Sequence, residues 1–85
     1  MSGIIKLVGR FLNEPNTIDI DDVRRLLAAF GYRETRKGSE YIFHKKGAYP
    51  ITVPTVKGRH VKSPYVKRLA RLLFLEEWYE RNKEE

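Results

Sequence analysis

The chain is 85 residues long, enough for one small domain and too short for a second independent core. Hydrophobic residues make up 41%, ordinary for a folded globule and against intrinsic disorder, while 17 Lys and Arg against 11 Asp and Glu leave a net charge of +6. The absence of cysteine removes disulfides, thiolate nucleophiles and Cys-bound zinc, and the charge points to a polyanion, either nucleic acid or an anionic membrane surface. The apolar run at residues 72–75, like every other in the chain, is far below the roughly 18 to 20 residues that span a bilayer. Residues 1–12 lack the long apolar region of a signal peptide, so the expectation is a cytoplasmic protein without a membrane partner.

In chain order, Ile4, Ile5, Leu7, Val8, Phe11 and Leu12 follow helical spacing interrupted by Gly9, and the turn-prone Asn13-Glu14-Pro15-Asn16 closes this short first helix. A second helix follows with Thr17 or Asp19 as N-cap and with Asp21 and Asp22 near the positive end of its dipole. Its buried stripe is Ile20, Val23, Leu26, Leu27 and Phe30, and Gly31 ends it, because glycine takes the left-handed conformation without steric cost. Residues 32–36, 40–45 and 49–54 are rich in aromatic or β-branched side chains and their gaps hold glycine, which predicts short antiparallel strands. Residues 55–62 read as a loop. Ser63-Pro64 then marks a helix start, a capping hydroxyl followed by a proline at the first helical position. One long last helix is predicted from there, with Val66, Leu69, Ala70, Leu73 and Trp78 inward and Lys67, Arg68 and Arg71 left for solvent or ligand. The order α-α-β-β-β-α gives an α+β fold, a three-stranded antiparallel sheet with helices packed on one face and the other face open.

The basic excess is uneven: residues 1–32 balance at four against four, residues 33–71 hold eleven basic side chains against two acidic, and residues 72–85 hold two against five. A polyanion therefore belongs on the middle of the chain. Two stretches there are chemically dense. Arg36-Lys37-Gly38-Ser39-Glu40 gathers cations, a hydroxyl and a carboxylate at a hairpin corner, although a solvated turn built on Gly38 and Ser39 has the same composition. Lys57-Gly58-Arg59-His60-Val61-Lys62 sets three cations and an imidazole just before a helix N-terminus, where unpaired N–H groups favour phosphate. A solvated basic loop is the plainer account of that stretch. There is no P-loop, Rossmann glycine pattern or HExxH.

Taken together, Gly31-Tyr32, Lys37-Gly38-Ser39 with the strand Glu40-Tyr41-Ile42-Phe43, Val53-Pro54, Val56-Lys57-Gly58 and Ser63-Pro64-Tyr65-Val66-Lys67 form an ordered set over roughly residues 18 to 75. This set resembles the HicA toxin family. The resemblance implies a double-stranded-RNA-binding-like fold, metal-independent and cofactor-free cleavage of mRNA by an endoribonuclease (an mRNA interferase), and neutralisation by a HicB-like antitoxin in a type II toxin–antitoxin system. It divides the single domain into an added helix and turn at 1–16, a family core at 17–75 and an acidic helix end and tail at 76–85. Lys37, Gly38, Ser39, Lys57, Arg59, Lys62 and Lys67 are the RNA-binding candidates, and Tyr41, Phe43 or Tyr49 could stack bases if they face outward.

The family turn usually reads Gly-Ser-His with a catalytic histidine, whereas this chain has Glu40. A carboxylate can take the 2′-hydroxyl proton as general base, and a neighbouring cation can stabilise the charged phosphorane, but protonating the leaving 5′-oxygen needs a buried carboxyl or a second residue. His44 shares a strand face with Glu40 by period two, yet four residues of strand at about 3.3 Å each place it roughly 13 Å away. His60 in the loop is less constrained, so the candidate catalytic pair is Glu40 as base and His60 as acid. Two classes stay open: a working endoribonuclease toxin, and a degenerate HicA-like module that binds RNA and no longer cuts it. In the last helix Glu76, Glu77, Glu80, Glu84 and Glu85 lie towards the negative end of the dipole, a mildly unfavourable place that an antitoxin or a homodimer contact would explain.

Overall fold

A computed structural model describes residues 2–83. The elements run α1 (Ser2–Asn13), a 3-10 turn (Pro15–Thr17), α2 (Ile20–Ala29), β1 (Arg33–Lys37), β2 (Glu40–His44), β3 (Ile51–Pro54), α3 (Ser63–Leu72) and α4 (Leu75–Asn82). The sheet order is β1-β2-β3, antiparallel throughout, so the α+β class and the three-stranded meander are as the sequence predicts. Among the described residues no helix is long and apolar enough to cross a membrane.

Of the two candidate caps, Asp19 starts α2. Its carboxylate accepts the Asp22 N–H at 3.0 Å, and the Asp22 carboxylate returns the bond to the Asp19 N–H at 3.1 Å. Asp22 is buried yet satisfied, because Arg10 of α1 donates to both of its oxygens at 3.3 and 3.2 Å. Leaving such a buried set one partner short costs about 1–3 kcal/mol. At the other end Gly31, with φ of +93°, closes a Schellman motif in which the Gly31 N–H bonds Ala28 O at 3.1 Å and the Tyr32 N–H bonds Leu27 O at 2.9 Å.

Strand register decides what faces the helices. Arg36 pairs with Tyr41 and Glu34 with Phe43, and Tyr41 and Phe43 in turn pair with Val53 and Ile51. Tyr41, Phe43 and Val53 are buried with Leu7, Val8, Phe11, Val23, Leu26, Leu27, Val66 and Leu69 in one core. Burial of each such side chain is worth about 1.5–3 kcal/mol. Tyr41, only 6% exposed, is therefore a core ring and not a stacking platform, and Phe43 likewise. The helix α1 supplies Leu7, Val8 and Phe11 to this core. Gly9 does not interrupt it: a Cβ there would meet the Tyr79 ring of α4 at 3.4 Å, so the glycine is where that ring lies against the helix.

The single long last helix is a pair. Phe74 sits in the left-handed region (φ 53°, ψ 46°), ending α3 and capping α4. Its N–H bonds Arg71 O at 3.2 Å, the same bond that Gly31 makes behind α2. A continuous helix carrying Val66, Leu69, Ala70 and Leu73 inward would next turn Glu76, Glu77 and Glu80 into the core. Breaking at Phe74 resets the phase, so that Leu75, Trp78 and Tyr79 face inward at helical spacing. Trp78 then packs on Phe30 with ring centroids 5.7 Å apart. Glu76 and Glu77 consequently lie in a first turn, near a positive dipole end where carboxylates are favourable, and Glu80 is paired with Lys83 at 2.9 Å. The electrostatic reason for a partner at these three residues disappears. Glu84 and Glu85 lie outside the described residues.

Candidate nucleic-acid interface

Gly38 and Ser39 are the two-residue connection of the β1–β2 hairpin, closed by the pair Lys37 and Glu40. Gly38 has φ of +62° at the first central position, the conformation such a tight hairpin favours for glycine. The Ser39 carbonyl accepts two bonds from Thr55, from its N–H at 3.1 Å and its hydroxyl at 2.9 Å. The turn is thereby fastened to the first residue of the basic loop.

That loop is itself ordered by its backbone. The Val56 N–H bonds His60 O at 2.8 Å and the His60 N–H bonds Val56 O at 3.0 Å, with Lys57 and Gly58 both at positive φ between them (55° and 78°). A left-handed non-glycine residue costs about 1–2 kcal/mol, so Lys57 is held at the loop tip against its own preference. The descending side is tied to the head of α2: Arg59 O accepts the Ile20 N–H at 2.8 Å, and the Arg59 guanidinium lies 3.2 Å from the Asp19 carboxylate. Burial pushes the Asp19 carboxyl up, but the Asp22 N–H and the Arg59 guanidinium outweigh it and hold the group below its ordinary value. Val61 is fully buried and anchors the loop's exit. The following helix begins at Ser63 with Lys62 as N-cap and no side-chain cap, so Ser63 is not the capping hydroxyl and Pro64 takes the second helical position.

Lys37, Lys57, Lys62 and Lys67 are exposed and make no ion pair among the described residues, whereas Arg59 is engaged by Asp19. The Lys-Gly-Ser turn and the Val-Lys-Gly loop thus meet through Thr55, and the loop runs straight into the uncapped start of α3. Comparison with family models, with curated proteins and with solved structures finds no match to this chain. The surface must accordingly be judged on its own chemistry.

Glu40 is exposed at the start of β2 and its carboxylate makes no hydrogen bond among the described residues, a placement open to solvent. The candidate acid His60 is exposed as well, its backbone bridged to Asp19 and Val56, and it shares no hydrogen bond with Glu40. His44 lies on the outward sheet face with Glu40 and Ile42, its Nε2 3.2 Å from the Thr35 hydroxyl. Among the described residues no three His, Asp or Glu side chains converge to hold a metal ion.

Sequence reasoning passed over Arg33, Thr35 and the surroundings of Tyr41. Arg33 lies opposite His44, and Thr35 opposite Ile42, so both join Lys37 on the outward face. Period-two alternation applied to residues 33–37 contains that assignment. Around Tyr41, the Arg36 and Arg24 guanidinium carbons lie 5.1 and 5.9 Å from the ring centroid. Arg24 also bonds Glu34 at 2.8 Å, and that carboxylate raises the guanidinium above its ordinary value. Only the tertiary fold brings this second-helix cation to a strand, and no sequence signal marks it.

Proposed function

We propose that this chain is an RNA-binding protein of the HicA type, a double-stranded-RNA-binding-like core α2-β1-β2-β3-α3 that presents its turn, its basic loop and the start of α3 to one RNA backbone. The observation that carries the reading is the pair of hydrogen bonds that Thr55 donates to the Ser39 carbonyl sixteen residues earlier, which joins the turn to the basic loop. Unpaired lysines there meet phosphates by charge, and the loop leads into the positive dipole end of α3, where Pro64 has no N–H and the Tyr65 N–H is bonded to Lys62 O at 3.0 Å, so charge rather than free N–H groups supports the contact. The shallow, exposed geometry suits recognition by backbone shape and 2′-hydroxyls.

On this reading the activity is metal-independent cleavage of mRNA, held in check by a HicB-like antitoxin that covers the same face. The Glu40 carboxylate takes the 2′-hydroxyl proton, the freed oxygen attacks the adjacent phosphorus, and the 5′-oxygen leaves with a proton from His60 or water. Products are a 2′,3′-cyclic phosphate and a 5′-hydroxyl. Lys37 lies opposite Glu40 in register, and on this reading its charge offsets that on the phosphorane. Incubating RNA with the protein in chelator and mapping the ends tests this. Glu40→Gln is expected to lower cleavage by about 100-fold or more, the usual worth of a general base. A second reading, binding without cleavage, is favoured by one observation, that Glu40 has no hydrogen-bonded acid partner; undiminished cleavage by Glu40→Gln removes Glu40 as base, and no cleavage by the parent protein establishes the second reading.

A further inference from the structure

The remaining sheet edge carries a second surface, away from the Lys-Gly-Ser turn. Between β3 and α3 runs a groove of about 210 Å³ floored by Ile51, Val53, Leu69 and Leu72. It continues into a wider hollow of about 440 Å³ beside Tyr49 and Tyr32. Tyr49 is 92% exposed, and Tyr65 stands at the groove wall. Arg68 lines both parts and is their one charged side chain among the described residues; Lys45 stands over the Tyr32 ring at 5.3 Å. An apolar floor, exposed tyrosine rings and positive charge without an acidic neighbour are complementary to an unstacked nucleobase and its phosphate.

An added protein strand is the competing occupant, and the backbone disfavours it. The Thr55 N–H points to Ser39, so by alternation Val53 and Ile51 also point their N–H groups towards β2. Pro50, Thr52 and Pro54 then face the free edge. Two of those three lack an N–H, which leaves Thr52 as the one donor a docking strand would find.

We infer that this groove is a base-binding subsite for single-stranded RNA, in which a nucleobase stacks on Tyr49 while Arg68 contacts the adjoining phosphate. The inference rests on the RNA-binding reading and adds to it the strand state of the substrate: the nucleotides beyond the turn are unpaired. The test uses a 2′-O-methylated octamer, which cannot be cut by 2′-hydroxyl attack, beside a 16-base-pair RNA duplex. Tyr49→Ala is expected to weaken octamer binding by about 5- to 150-fold, the worth of one stacked base, and to leave duplex binding unchanged. Tyr49→Phe and Tyr49→Trp restore octamer binding, and Tyr49→Leu does not. Because Tyr49 is exposed, none of these variants disturbs the core. If the parent protein binds the octamer and Tyr49→Ala binds it equally, or loses duplex binding to the same degree, the subsite is wrong while the RNA reading stands. If the parent protein binds neither probe, both fall.

Discussion

Asp19 ties two functions to one carboxylate. It caps α2 by accepting the Asp22 N–H, and it holds Arg59 of the basic loop. Its folded-state pKa is lowered, so it contributes stability that is fully present above the unfolded-state pKa and is lost as pH falls through the folded one. Asp19→Asn keeps the cap, since asparagine caps as well as aspartate, and removes the charge. The urea midpoint of the parent protein is expected to decline on the acid side of that window, and the decline to flatten in Asp19→Asn. An equal decline in both would assign the acid sensitivity to other carboxylates. Part of this arrangement is legible in sequence: Asp19 and Asp22 stand at capping-box spacing three apart. The Arg59 contact is not, because it spans forty residues and depends on where the loop folds back.

Among the elements, the pair α3 and α4 shows both what periodicity carries and where it is misread. Val66, Leu69, Ala70 and Leu73 follow one helical phase, and Leu75, Trp78 and Tyr79 follow another. The shift between them is present in the sequence and signals a break, but the residue at the break is phenylalanine, where helix ends favour glycine. Without that punctuation the run reads as one helix. Gly31, in the equivalent place behind α2, is legible at once. Phe74 is 67% exposed and left-handed, a conformation costing about 1–2 kcal/mol for a residue with a side chain. Phe74→Gly relieves that strain and gives back part of the gain through the freer unfolded chain. The expected net is a stabilisation of about 0.5–1 kcal/mol, or a Tm higher by about 2–6 °C, read by thermal unfolding. A lower Tm would mean that the Phe74 ring makes contacts worth more than its backbone strain.

For the whole molecule, the net charge of +6 conceals a division of labour that the fold makes spatial. The helix α1 and the α3–α4 pair close the core, while the turn and the loop, joined through Thr55, and the start of α3 carry exposed lysines. Strand order and the basic middle are legible because aromatic and β-branched runs alternate with glycines. The joining of two basic segments is not, since it hangs on a serine carbonyl and a threonine that composition does not distinguish. The placement has a measurable consequence. Binding that neutralises phosphates releases counterions, so log K falls with log salt by about 0.9 per contact on a duplex and about 0.7 on a single strand. Lys57→Ala combined with Lys62→Ala is expected to reduce the duplex slope by about 1.8, two contacts' worth, with little change in which sequences are bound. Lys6→Ala, an exposed cation on α1, serves as the comparison and should leave the slope unchanged. Equal effects from Lys6 and from the loop lysines would mean that RNA is held by overall charge and that the stapled surface is not its site.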